Sequence, residues 1–262
     1  MVMTLDEYIK NPMGKNNAVF SQRSIFKEVY TKKFDALIVR DAGKINYRLY
    51  KDTDRRYIMH FKIPSEIIAK FYYDVVIEFT ASNIAIEAEN TLKNYEVKFF
   101  SNDPAFVFTH AYSFAKNKLF IEDLMPKMSK RALTEKADIR NPKNVIGYVK
   151  TIYFAYIFIQ LKGLDKKVVW LAESVPYVKK DLLAFVEDAD KKVEARQLQG
   201  EQKAKEEKKK KNPTGYKPNI PSIGGNRSTK GISKTTVVNT HSMVKKTTTN
   251  KTVAHTKTTK RK

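Results

Sequence analysis

Five runs in the first hundred residues are rich in Ile, Val, Tyr and Phe: Phe34 to Arg40, Lys44 to Lys51, Arg56 to Ile63, Phe71 to Thr80 and Tyr95 to Phe100. Turn signals such as Asp41-Ala42-Gly43 and Asp52-Thr53-Asp54 separate the early runs, and the last alternates apolar with polar. All five are expected as strands, the first three as an antiparallel meander. Helical spacing interrupts them. Leu5 to Lys10 reads as a short helix stopped by Asn11-Pro12, and Ser24 caps a second whose apolar positions Ile25, Phe26, Val29 and Tyr30 end near Thr31. Pro64-Ser65-Glu66 opens a short helix to about Lys70. Ser82 caps another through about Lys93, with Ile84, Ala85, Ala88 and Leu92 on one face.

Helices dominate the second half. Asp103-Pro104 pairs a capping side chain with a proline at the first helical position, which predicts a helix to about Lys116 with aromatic residues on one side. From Glu122 to Asn144 the chain is polar, and short helices and loops are expected. Val145 to Leu161 is the most apolar stretch, but Gly147, Lys150 and Gln160 interrupt it. Its unbroken part is too short to cross a bilayer, so it reads as a core helix or a buried strand. Lys162-Gly163 reads as a stop, and a short apolar run follows at Val168 to Leu171. Then a single helix is expected from Tyr177 to about Lys211, with Leu182, Phe185, Val186, Ala189 and Val193 facing inward.

Strands first and helices later, without regular alternation, argue for an α+β fold: a single mixed domain with an antiparallel sheet and several helices, followed by a disordered basic C-terminal arm. The expected divisions are an N-terminal arm over 1–24, the α+β domain over 25–198, and a Lys/Thr-rich tail over 199–262 whose first part extends the helix. About 190 residues are enough for a substantial core. The absence of cysteine excludes disulfides, thiolate nucleophiles and cysteine zinc sites. The opening residues carry Asp6-Glu7 where a secretory signal has a basic end and an apolar run, so the protein is expected not to be secreted.

Charge changes this picture most. Residues 191–262 hold twenty Lys or Arg against four Asp or Glu, whereas 1–190 hold thirty against twenty-four. Asn212 to Lys262 has eleven basic residues, no acidic residue, and no Leu, Phe or Trp. Such a segment buries too little apolar surface to offset its ordering entropy, and its charge attracts a polyanion. Lys208, Lys209, Lys210, Lys211, Lys245, Lys246, Lys251, Lys257, Lys260, Arg261 and Lys262 are the expected phosphate contacts, with DNA as the expected nucleic acid. No amphipathic helix or lipidation motif accompanies them, so no membrane partner is expected. The other basic stretch is weaker: over Glu122 to Asn144 six Lys or Arg face four acids.

One catalytic pattern competes. Asp74 on one expected strand and Glu96-Val97-Lys98 on another resemble the core of the PD-(D/E)xK nucleases, in which two carboxylates bind Mg²⁺ and the lysine orients the attacking water. No proline precedes Asp74, a helix is expected between the two strands, and an alternating Glu96/Lys98 is what any solvated strand face shows. No cofactor is expected otherwise. His60, His110, His241 and His255 stand singly, with His110 read as an edge-of-core residue. No phosphate-binding loop, dinucleotide fingerprint or nucleophile elbow occurs.

Leu5-Asp6-Glu7-Tyr8-Ile9-Lys10-Asn11-Pro12-Met13-Gly14-Lys15 and Phe99-Phe100-Ser101-Asn102-Asp103-Pro104-Ala105-Phe106 resemble segments of uncharacterised proteins of tailed bacteriophages from AT-rich hosts. The excess of Lys over Arg, forty to ten, has the same flavour. The resemblance covers about the first 160 residues. It implies a virion or DNA-packaging role, with phage structural proteins or further copies of itself as partners and the virion or host cytoplasm as its place. It implies no catalytic residue. The expected function is therefore a non-enzymatic structural or packaging-associated protein that binds nucleic acid through its arm, with the Mg²⁺-dependent nuclease as the competing reading.

Overall fold

The computed structural model describes residues 2–10, 20–41, 45–137, 141 and 143–211. The fold is α+β. Nine α-helices lie among these residues, around a five-stranded mixed sheet of order β4-β3-β2-β1-β5. The strands are β1 (Asn46–Thr53), β2 (Arg56–Pro64), β3 (Tyr72–Thr80), β4 (Glu96–Ser101) and β5 (Val175–Pro176). Four run antiparallel to their neighbours, and the two-residue β5 joins β1 in parallel.

Strand alternation divides the side chains between two faces. On one face Tyr57, Met59, Phe61, Ile63, Val75, Ile77, Phe79 and Phe99 are all buried. Helices cover it, among them α1 (Leu5–Lys10), through Tyr8 against Phe99 at 4.7 Å between ring centroids; α6 (Lys150–Lys162), through Phe158 against Phe61 at 6.2 Å; and α7 (Lys167–Glu173), through Trp170 against Tyr57 at 5.0 Å. α2 (Phe20–Asp41) backs α6, with Phe34 on Phe154 and Tyr30 on Tyr153. On the opposite face Ile58, Val76 and Phe100 are buried between polar neighbours. Phe120, the 3₁₀ helix Glu122–Lys127, Tyr177, α8 (Lys179–Phe185) and the start of α9 (Ala189–Lys211) sit over that face. Central β2 and β3 are therefore sandwiched between two layers, which explains why they read as nearly continuous apolar runs. Both sheet edges are covered by short pairings: Met3–Thr4 and Phe120 along β4, and β5 along β1.

Four local expectations are corrected. Phe34 to Arg40 is the second half of α2, because Tyr30, Phe34 and Leu37 all turn toward α6 and the core at helical spacing, and this packing overrides β-propensity. Where a helix from Pro64 to Lys70 is expected, Pro64 ends β2 and the following residues make bends and a turn: Ser65 N–H donates to the Phe71 carbonyl at 2.7 Å and Lys70 takes φ +59°. The Ser82 helix shrinks to α3 (Ile84–Glu87), capped by Asn83, whose Oδ1 accepts from Ile86 N–H at 3.0 Å. The single terminal helix is two, α8 and α9, broken at Val186–Asp188, and Phe185 is half-exposed instead of inward.

The start at Asp103-Pro104 is correct, with Asp103 Oδ1 accepting from Ala105 N–H at 2.9 Å. Inside that segment Phe106–His110 forms a π turn, followed by α4 (Ala111–Lys116). Positions eight apart on an α-helix lie roughly 80° from each other around the axis. The wider π turn reduces this angle, so that Phe106 and Phe114 both face the core with their rings 5.2 Å apart. α5 (Lys130–Thr134) is among the short helices expected after Glu122. Gly163, at φ +61°, ends α6 where Lys162-Gly163 predicted a stop. Among the described residues no helix is long and apolar enough to cross a membrane.

Candidate functional site

The polar face of the sheet carries Arg48 of β1, Arg56, His60 and Lys62 of β2, Asp74 and Glu78 of β3, and Glu96 and Lys98 of β4, as the strand registers dictate. These residues form two clusters, one at each end, with Ile58, Val76 and Phe100 between them.

Asp74 centres the first cluster and is fully buried. Its Oδ1 accepts from His60 Nε2 and Lys62 Nζ, both at 2.7 Å, and its Oδ2 accepts from Asn102 Nδ2 at 2.8 Å and from the backbone N–H of Glu187 at 3.0 Å. Asp74 N–H in turn donates to Asn102 Oδ1 at 2.7 Å. Burial pushes the Asp74 carboxyl up, but His60 and Lys62 outweigh it and hold the group below the usual carboxylate range. Four donors converge on one carboxylate, so no lone pair remains open toward solvent.

The second cluster is built on Arg56, whose guanidinium reaches Glu78 at 2.7 Å, Asp123 at 2.5 Å and Asp52 at 3.3 Å. Tyr177 and Lys179 also donate to Asp123, at 2.7 and 2.9 Å. Burial opposes ionisation of Asp123, but Arg56, Tyr177 and Lys179 prevail and set it far below the ordinary value. Glu96 and Lys98 line an open cleft of about 580 Å³ at this end, and Lys98 pairs with Glu122 at 3.1 Å.

The three residues of the nuclease pattern share a face but do not meet. Asp74 lies opposite Lys62, Lys98 opposite Glu78 and Glu96 opposite Thr80. Glu96 is therefore displaced from Asp74 by six positions along β3, roughly 20 Å at about 3.3 Å per residue, far beyond one coordination sphere. Among the described residues no three His, Asp or Glu side chains are grouped to hold a metal ion.

The helix that leads toward the arm is anchored at the first cluster. Besides the bond from Glu187 N–H to Asp74, Asn102 Nδ2 donates to the Glu187 carbonyl, Lys62 and Lys192 reach the Glu187 carboxylate, and Lys127 and Lys191 reach Asp188. Val193 is buried and Arg196 lies 6.0 Å from the Tyr73 ring. From 197 to 206 every residue of α9 is exposed, an unsupported run of roughly 15 Å at about 1.5 Å per residue. Lys208, Lys209, Lys210 and Lys211 close α9. Lys245, Lys246, Lys251, Lys257, Lys260, Arg261 and Lys262 lie outside the described residues.

No family model, no curated protein and no solved structure matches the chain. The site has to be read from its own chemistry. Sequence reasoning missed His60, Lys62 and Asn102 as the partners of Asp74. The available signal was the spacing of His60 and Lys62, two apart on an expected strand and therefore on one face of it.

Proposed function

We propose that the chain is a non-enzymatic structural or DNA-packaging-associated protein whose folded body docks on other protein and whose basic C-terminal arm holds nucleic acid through its phosphates. The observation that carries this reading is the separation of charge. Residues 191–262 hold a net +16 of the total +22, and α9 leads from the body into that segment as a lysine-rich helix exposed over 197–206. Phosphate binding of this kind needs charge density and no fixed geometry. The phage setting rests on the resemblance of the first 160 residues alone. The nuclease reading loses support because Asp74 is saturated by four donors and stands far from Glu96 and Lys98.

Deleting Asn212 to Lys262 removes eleven positive charges. If about half meet phosphates at once, the slope of log affinity against log salt for duplex DNA should fall by roughly 4 to 5, at about 0.9 per contact. An unchanged slope would place binding on the body. A Mg²⁺- or Mn²⁺-dependent cleavage assay on the same preparations is expected to show no product. Cleavage lost in both Asp74→Ala and Lys98→Ala, with nucleic-acid binding retained, would establish the nuclease instead.

A further inference from the structure

A pocket of about 290 Å³ opens beside the π turn. Phe108 and Tyr112 line it from the turn and α4, and Ser129, Arg131, Glu135 and Lys136 line it from α5 and its flanks. Its volume stands at the small end of the roughly 300–1,000 Å³ range of ligand pockets, a fit for one flat heterocycle. Phe108 is 51% exposed. A second exposed phenylalanine, Phe185, is covered by the Arg48 guanidinium 3.5 Å from its ring centre. Nothing comparable covers Phe108: among the described residues neither it nor Tyr112 has another ring or a cation stacked on it. The π turn is the cause. By bringing Phe106 and Phe114 onto the core side together, it leaves Phe108 outside, and turns of this kind recur at functional sites.

The charge around the pocket differs from the linear count. Glu122 and Asp123, two of the four acids that offset the basic residues between 122 and 144 in sequence, are drawn to the sheet by Lys98, Arg56 and Lys179. Among the described residues the pocket wall holds Arg131 and Lys136 against Glu135, which is taken by Arg131 at 2.7 Å, and Lys130 is the next residue of α5. Among the described residues Lys130 and Lys136 are exposed and meet no carboxylate.

We propose that this pocket stacks one unpaired base of a single-stranded nucleic acid, with Phe108 and Tyr112 against the base and Lys130, Arg131 and Lys136 toward the flanking phosphates. Aromatic faces accept any base, whereas a base inside a duplex is already stacked on its neighbours and does not reach them. The proposal rests on the nucleic-acid reading above and adds a preference for single strands that a phosphate-binding arm does not supply.

The full-length chain and its Phe108→Ala and Phe108→Trp variants can be titrated by fluorescence anisotropy against labelled oligothymidine, oligouridine of the same length, and a duplex of the same length. Phe108→Ala should weaken single-strand binding about tenfold, within the roughly 1–3 kcal/mol of one stacked base. It should leave duplex binding unchanged, and Phe108→Trp should restore the affinity. A larger effect on oligothymidine or on oligouridine tells whether the site prefers DNA or RNA. Because Phe108 is half-exposed, the variants should fold, and matching circular dichroism spectra would establish that. An alanine variant that binds single strands as tightly as the parent, or that loses duplex affinity to the same degree, overturns the pocket. A parent chain that binds the duplex while the alanine variant changes nothing sinks this inference alone. A parent that binds none of the three probes sinks the arm reading with it.

Discussion

At the scale of single residues, the clearest constraint is the contact between His110 and Gly147. A Cβ on Gly147 would stand 2.5 Å from His110 Cε1, so glycine is required there for space, while its carbonyl accepts the Tyr8 hydroxyl at 3.0 Å. The ring is thereby enclosed, with Nδ1 buried and unpartnered. Burial pushes the His110 pKa down to about 4, against a smaller opposing pull from the Val145 backbone. The unfolded chain then takes up a proton near pH 6.5 while the folded protein does not, so the contribution of His110 is complete above that pH and is lost as pH falls toward 4. The loss is on the order of 3 kcal/mol. Thermal or urea unfolding followed from pH 7 to pH 4 should show stability falling through this window, with a shallower fall in His110→Gln. Parallel profiles for the two proteins would assign the acid sensitivity to the carboxylates instead.

At the scale of elements, the break between α8 and α9 shows what sequence periodicity does and does not carry. Leu182, Val186, Ala189 and Val193 keep a helical spacing across 182–193 and are all buried, which is why one continuous helix was expected. The break at Val186–Asp188 comes from a residue more than a hundred positions away: Asp74 captures Glu187 N–H and removes it from the helical ladder. All four groups facing the carboxylate are donors, so an amide there would point its NH₂ at two of them. Asp74→Asn is therefore expected to be about as destabilising as Asp74→Ala, roughly 3 kcal/mol, with hydrogen exchange accelerated at residues 186–190. A nearly neutral Asp74→Asn would mean that the cluster does not anchor α9. The same logic explains the other successes and failures. β1 to β4, α1 and the Gly163 stop were legible because their signals are local. Phe34 to Arg40 was misread because α6, remote in sequence, decides which period its apolar residues follow. The pocket was illegible because the sequence sets Glu122 and Asp123 beside Lys130 and Arg131, whereas the fold sends the acids to Arg56 and Lys98.

At the scale of the whole molecule, the buried apolar residues among those described end at Val193, and the excess positive charge gathers after it. The arm's composition should make it the first part of the chain cut by a protease specific for lysine and arginine. The root of α9 narrows where cutting stops. Lys192 is buried on Glu187, Lys191 pairs with Asp188 and Arg196 lies over Tyr73, whereas Lys203 and Lys205 are exposed on the unsupported part of the helix. Brief trypsin treatment should therefore leave a body whose mass corresponds to an end at Lys203 or shortly beyond, and not at Lys191 or Lys192. That fragment should keep the melting temperature of the intact chain, since every core residue among those described precedes the cut. It should lose most of its duplex affinity, since the removed segment holds the unopposed charge. It should also retain the Phe108-dependent part of single-strand binding. A fragment that binds duplex DNA as tightly as the full chain would shift the phosphate contacts to the body. A cut that stops near Lys191 would mean that α9 is not held at Asp74 in solution.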